Sequence, residues 1–373
     1  MVSWKRTRSF FPVTQDWNYL DHAGVAPIST RVEEALRRYA DCATRSGATD
    51  YAVYESEVER VRSRAAQLLA ATPHEIAFVK NTTEGLGIVA SGLDWKRGDI
   101  VLTCDLEYPS NVTTWWGLRP RGVETVLLPS EGGRLPLERV EEALRRPRVR
   151  LLTLSSVEFG NGVRNDLESL GSMCREHGVL FCVDAIQSLG CLPLDVGRCG
   201  IDFLASDGHK WLLSVEGCGI FFCRRRMLER LAPRILGWHN VAQPRDYDRY
   251  QTELRSDAGR FEEGTWNTAG IFALGAAIDL LLELGVEAIA RRVLELTDRL
   301  VEGLRTRGAT LLSPRGAAAS GIVSFRLENE APAQTVERLR TQRIHTVVRR
   351  SAVRASPCFY TDESEIDALI EAL

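Results

Sequence analysis

The chain has 373 residues, 44% of them hydrophobic and 26% charged, and a net charge of −3. That is enough apolar sequence for two cores, and the near balance of charge excludes the broad basic surface that nucleic acids or anionic membranes select. No apolar stretch reaches membrane-spanning length, and Met1–Phe11 lacks a signal-peptide core.

The nine cysteines are scattered, with no Cys-x-x-Cys pair. Reduced thiols, no structural zinc and a cytoplasmic location are the expectation. Only four lysines are present, Lys5, Lys80, Lys96 and Lys210, so a lysine in a special context stands out.

In chain order, an N-terminal segment (1–29) precedes a helical stretch, Thr30–Leu69. Seven short apolar runs follow: Ile76–Val79, Ile100–Cys104, Val123–Leu128, Val149–Leu154, Leu180–Val183, Phe203–Ala205 and Gly219–Cys223. Helix-like stretches separate them, most clearly Thr83–Leu93, Leu137–Leu144 and Asp166–His177. This alternation predicts an α/β fold, with a large domain over 30–260 around a buried, mostly parallel sheet. The pattern changes after Phe261. Ile271–Leu284 and Val286–Arg307 read as amphipathic helices, Gly321–Leu327 as a strand, Ala333–Gln342 as a helix, His345–Arg349 as a short strand, and a closing helix starts at Glu363. These form a smaller α+β domain, 261–373.

Chemistry-bearing residues gather at the strand ends. The run ending Asp207-Gly-His-Lys-Trp211 puts Lys210 at the carboxyl edge of the sheet, where open α/β sheets bind ligands. A lysine flanked by aromatic and apolar groups loses its proton more readily, as Schiff-base chemistry requires. A solvated turn lysine is the plainer alternative. Leu180–Val183 ends in Asp184, which is either a helix N-cap or a carboxylate that keeps a pyridine nitrogen protonated. Thr82 and Thr83, between a strand and a helix, make either an anion site or a plain cap.

Seven motifs run in order along the chain: Tyr19-Leu-Asp-His-Ala-Gly24, Asn81-Thr-Thr-Glu-Gly85, Glu107-Tyr-Pro-Ser-Asn111, Val183-Asp-Ala-Ile-Gln187, Asp207-Gly-His-Lys-Trp211, Arg260-Phe-Glu-Glu-Gly-Thr265 and Arg354-Ala-Ser356. Together they resemble the class V aminotransferase family of fold-type I pyridoxal 5′-phosphate (PLP) enzymes, which includes cysteine desulfurases, selenocysteine lyase and isopenicillin N epimerase. The resemblance implies that Lys210 carries PLP as a Schiff base, that Asp184 pairs with its ring nitrogen, and that Gln187 bonds its phenolic oxygen. Thr82, Thr83 and His209 would hold the phosphate. Thr265 would reach the partner's cofactor in a homodimer, and Arg354 would clamp the substrate carboxylate through its bidentate fork.

The chain departs from the family pattern at three places. The ring-stacking position, histidine in cysteine desulfurases, is Tyr108. A frequent phosphate-binding serine is replaced by Asp207, whose charge would repel phosphate, so Ser206 is expected to substitute. The stretch before Arg354 is short and lacks the nucleophilic cysteine of desulfurases. Cys358, in an apparent strand, reads as a packing residue.

The expected chemistry is α,β-elimination from a cysteine-like or S-conjugated amino acid. Transamination and epimerisation stay open, and persulfide-forming desulfuration is the weaker variant. His22, Asn161, Trp238, His239, Arg349 and Arg350 are the side-chain pocket candidates, with structural turns or surface charge as their alternatives. A nucleotide-binding oxidoreductase is the reading from another class, but Glu216-Gly-Cys-Gly219 precedes a strand instead of following one.

Overall fold

Each of the seven apolar runs becomes a strand of one sheet. The structure, a computed structural model, describes residues 4–373, so the first three residues of the Met1–Phe11 segment lie outside it. Helix α1 (Trp4–Arg8) and strand β1 (Asn18–Tyr19) lead into helices α2 (Thr30–Arg45) and α3 (Tyr51–Leu68). The single helical stretch expected over Thr30–Leu69 is thus broken, around Gly47 with its φ of +53°.

The large domain continues with β2 (Ile76–Val79), α4 (Thr82–Gly92), β3 (Ile100–Cys104), α5 (Ser110–Trp116), β4 (Glu124–Leu128) and α6 (Leu137–Leu144). It is completed by β5 (Val149–Ser155), α7 (Leu167–Glu176), β6 (Leu180–Asp184), β7 (Phe203–Asp207) and β8 (Gly219–Cys223). The strand order is β2-β8-β7-β6-β5-β3-β4. Only β8 runs against its neighbours, β2 and β7. Alternation splits the core in two: Cys182, Phe203 and Ala205 face the α4 side, while Phe181, Val183 and Leu204 face the other.

Helices α8 (Thr268–Leu284) and α9 (Val286–Thr306) follow, then β9 (Thr310–Leu311), β10 (Val323–Arg326) and α10 (Pro332–Thr341). Strands β11 (Ile344–His345), β12 (Val347–Arg349) and β13 (Ala352–Ala355) and helix α11 (Glu363–Glu371) close the chain. The antiparallel sheet β12-β13-β10-β9 and its helices enclose a second core of Leu296, Leu300, Val323, Phe325, Val353 and Leu369.

Three expectations need correction. Ile271–Leu284 is not amphipathic in effect: α8 is buried nearly all round and packs on α2 and α3 of the large domain. The change of core therefore falls along α9 instead of at Phe261. The N-terminal segment also serves the small domain, because β1 pairs in parallel with β11 and Leu20 enters the second core. Among the described residues no single helix is long and apolar enough to cross a membrane.

Candidate active site

Three parallel strands end side by side, with Ser155 of β5 opposite Asp184 of β6 and Asp184 opposite Ala205 of β7. Asp184 and Lys210 thereby reach one place from adjacent strands. Asp184 is buried, and burial raises its carboxyl to about 6 against the pull of the Ile186 N–H and Lys210. Burial likewise lowers the Lys210 amine to about 8, opposed by Asp184 and reinforced by Arg354. The amine lies 5.6 Å from the Tyr108 ring centre, and that ring is 45% exposed. An aromatic face beside a proton-accepting amine and a buried carboxylate is the surrounding that a protonated pyridine ring needs.

The start of α4 offers a candidate anion site. Asn81, not a threonine, caps this helix by accepting from the Glu84 N–H, which leaves the threonine hydroxyls for other work. Thr82 Oγ1 accepts from the Asp207 N–H at 3.0 Å and so ties the helix start to the end of β7. Thr83 donates to Ser110 at 2.9 Å, which adds a hydroxyl that the sequence did not single out. Gly85 allows this approach, since a Cβ there would lie 2.6 Å from the Ala205 Cβ. His209 Nδ1 sits 3.0 Å from Asp207 Oδ2 yet off the line of a hydrogen bond, a buried nitrogen with no partner. Helix N–H groups, hydroxyls and an unpartnered imidazole nitrogen fit a phosphate, and with Lys210 and Asp184 the residues present fit PLP.

Arg354 is nearly wholly buried. Its Nη2 donates to Asp21 Oδ1 at 2.8 Å and its Nη1 to the Phe159 carbonyl at 3.0 Å, while Nε has no partner. Burial lowers this guanidinium's affinity for its proton, and Asp21 offsets only part of that loss. Gly24 makes the pair feasible, because a Cβ there would strike the Asp21 carboxylate. Val347 pairs with Arg354, so Arg349, two residues on from Val347, shares the hairpin face of Arg354.

Several expectations fail on geometry. His22 cannot touch substrate: it is fully buried, with Nδ1 2.8 Å from the Ser356 carbonyl and Nε2 2.6 Å from the Tyr360 hydroxyl. Asn161 spends its amide on the Gly133 carbonyl and the Val163 N–H, which fixes a loop. Ser206 lies on the strand face opposite Asp207 and meets only the Asp207 carbonyl, so it does not stand in for Asp207. His239 packs on Trp238 and Trp266 and meets the Glu262 carbonyl, none of them a partner of Lys210, Asp184 or Arg354. Arg350 is not a free surface charge: it donates to the Asp105 and Glu107 carbonyls and covers the Phe159 ring. Cys358 lies in a turn after β13, not in a strand.

Gln187 is buried and held by the Ala23 carbonyl and the Trp211 indole N–H, with one amide hydrogen to spare. Thr265 is exposed. Sequence reasoning passed over Asp21, Glu107 and Phe159. The first two stood inside quoted motifs, beside His22 and Tyr108. Nothing local marks Phe159, whose ring meets Tyr108 edge-on at 5.1 Å.

Residues 18–369 match the family model described as aminotransferase class-V. A protein named probable cysteine desulfurase from Methanothermobacter thermautotrophicus is 32% identical over 336 residues, covering 87% of this chain and 82% of that protein. The apo cysteine desulfurase of Thermococcus onnurineus NA1 superposes with a TM-score of 0.90 at 26% identity, covering 100% and 97% of the two chains. The cystine C–S lyase C-DES, in complex with its product cysteine persulfide, superposes at 0.91 with 26% identity over 97% and 98%. With the site geometry in place and these matches spanning almost its whole length, the chain belongs to the class V aminotransferase family of PLP-dependent enzymes.

Proposed function

We propose that this enzyme is a C–S lyase that acts by α,β-elimination on a cysteine-like or S-conjugated amino acid. The hairpin ahead of Arg354 carries the reading. Arg350 and Ser351 alone join β12 to β13, both with positive φ, as a two-residue turn requires. No loop remains on which a sulfur-accepting cysteine could ride. Cys358, beyond Arg354, is buried, and burial pushes its thiol up to about 12. A thiol that stays protonated is a poor nucleophile. Similarity to a neighbour described as a cystine C–S lyase supports the same reading.

In this scheme Lys210 holds the cofactor, Asp184 keeps a proton on its ring nitrogen, and Thr82, Thr83 and His209 hold its phosphate. Bound PLP supplies a sink for the electron pair left at Cα. Arg354 orients the substrate through its carboxylate. Lys210, beside Asp184 and the Tyr108 ring, would accept the Cα proton, a task matched to an amine that burial lowers to about 8. The Cβ–S bond would then break with its electrons on sulfur, the thiolate taking up a proton and leaving as the thiol, and water would hydrolyse the remaining enamine to pyruvate and ammonia. A homodimer, with Thr265 reaching the partner's cofactor, and a cytoplasmic location belong to the same proposal.

The test is a product assay on purified holoenzyme with L-cysteine, L-cystine and S-alkyl cysteines. Pyruvate and ammonia in equal amounts, with no protein-bound persulfide, are expected. Alanine as the product, together with a persulfide on the protein, overturns the reading.

A further inference from the structure

Beneath Tyr108 lies a buried acidic pair that the scheme above does not use. Glu107, between β3 and α5, and Glu158, just past β5, are 3% and 1% exposed, and their carboxylate oxygens share one pocket with Cys104 Sγ. Their surroundings differ. Glu107 accepts three hydrogen bonds: from the Ser155 N–H at 2.5 Å, the Ser155 hydroxyl at 2.6 Å and the Asn111 amide at 2.9 Å. Glu158 Oε1 accepts from Asn165 at 3.1 Å and from the Cys104 thiol at 3.7 Å, and its Oε2, buried, has no partner at all.

Burial raises both carboxyls, Glu107 to about 7 and Glu158 well above its usual range, but three donors favour the Glu107 anion, whereas a buried carboxylate with an orphaned oxygen lacks that help. The groups facing Glu158 sharpen the contrast. Glu107 opposes its ionisation, and Cys104 gives only a weak donor. Arg350 favours ionisation but has committed its nitrogens to the Asp105 and Glu107 carbonyls. Asp184, across from Ser155, is a further acid that bears on Glu107.

We propose that Glu158 is held as the neutral carboxylic acid at neutral pH and serves as a positioning residue for this site. Glu107 then carries the pocket's one negative charge and fixes the end of β5 beside Asp184. A second charge there would oppose the Glu107 anion and weaken its hold on the Ser155 N–H, and with it the strand end that faces Asp184. The inference rests on the proposed function only for this last consequence, since the protonation itself is read without any turnover.

The experiment is infrared difference spectroscopy of the holoenzyme at pH 7, comparing wild type with Glu158→Gln and Glu107→Gln. Wild type should show the carbonyl stretch of a buried protonated carboxyl that shifts in heavy water. Glu158→Gln should lose that band and Glu107→Gln should keep it. No band in wild type, or a band lost in Glu107→Gln and kept in Glu158→Gln, overturns the proposal.

A second readout follows the same proton through folding stability. A neutral acid in the fold that ionises on unfolding lowers the folding equilibrium constant about tenfold per pH unit once pH exceeds the unfolded value. Urea unfolding of wild-type holoenzyme between pH 5 and pH 7 should show that contribution, and Glu158→Gln should show a slope shallower by one proton. Equal slopes contradict the inference.

Discussion

Arg354 and Asp21 form a 2.8 Å ion pair in which the two side chains are 1% and 7% exposed. The pair joins the N-terminal segment to strand β13 of the small domain and leaves the buried Arg354 Nε without a partner. Removing one member of such a pair leaves the other charged, buried and alone. Asp21→Ala should therefore lose about 3–5 kcal/mol of folding stability in urea denaturation. A loss under about 1 kcal/mol, the range of exposed pairs, would show that the pair is solvated in the working enzyme.

Arg354→Ala should weaken amino-acid binding about 10- to 100-fold, the worth of a charge-assisted contact, while PLP stays bound. Spectral titration with substrate checks this. Arg354→Lys should recover only part, because a point charge does not reproduce the fork. If Arg349→Ala abolishes binding and Arg354→Ala does not, the carboxylate is held by the neighbouring arginine on the same hairpin face.

The pH dependence of turnover follows from two displaced groups. Asp184, raised to about 6 by burial, is protonated below that value and loses its hold on a ring cation. Lys210, lowered to about 8 by burial, accepts a proton only once it has lost its own. Activity should rise from pH 6 to pH 8 and level off above. Asp184→Ala should keep the cofactor and lose most activity, as measured by turnover at constant PLP occupancy. Unchanged turnover in that variant would remove Asp184 from the scheme.

His22 answers to stability instead of catalysis. Burial lowers it to about 4, so the fold holds the neutral ring, while the unfolded chain protonates near 6.5. Its folded value is depressed, so the stability it contributes is present above 6.5 and is lost as pH falls from 6.5 towards 4. His22→Ala should flatten that part of the stability profile and cost about 1–3 kcal/mol through the unpaired Tyr360 hydroxyl. A substrate-specific loss with unchanged stability would return His22 to the site.

The sheet is legible in the sequence because its signals are local. Continuous apolar runs become buried parallel strands, and a turn lysine or terminal aspartate inherits its place from the strand before it. What was missed depends on contacts far apart in sequence. Asp21 meets Arg354 across 333 residues and Phe159 takes an Arg354 bond across 195, which no spacing rule reports. Strand alternation puts Ser206 on the face opposite Asp207, which charge repulsion alone does not reveal. The short turn before Arg354 was visible in the chain, but its two positive φ angles were not.

Which lysine holds the cofactor decides most directly whether Lys210 has the role proposed for it. Holoenzyme reduced with borohydride, digested and mapped by mass spectrometry should carry its pyridoxyl adduct on the peptide containing Lys210, with Lys5, Lys80 and Lys96 unmodified, and Lys210→Ala should yield no adduct. An adduct on Lys80, the exposed lysine just ahead of the phosphate end, or one that persists in Lys210→Ala, would contradict it.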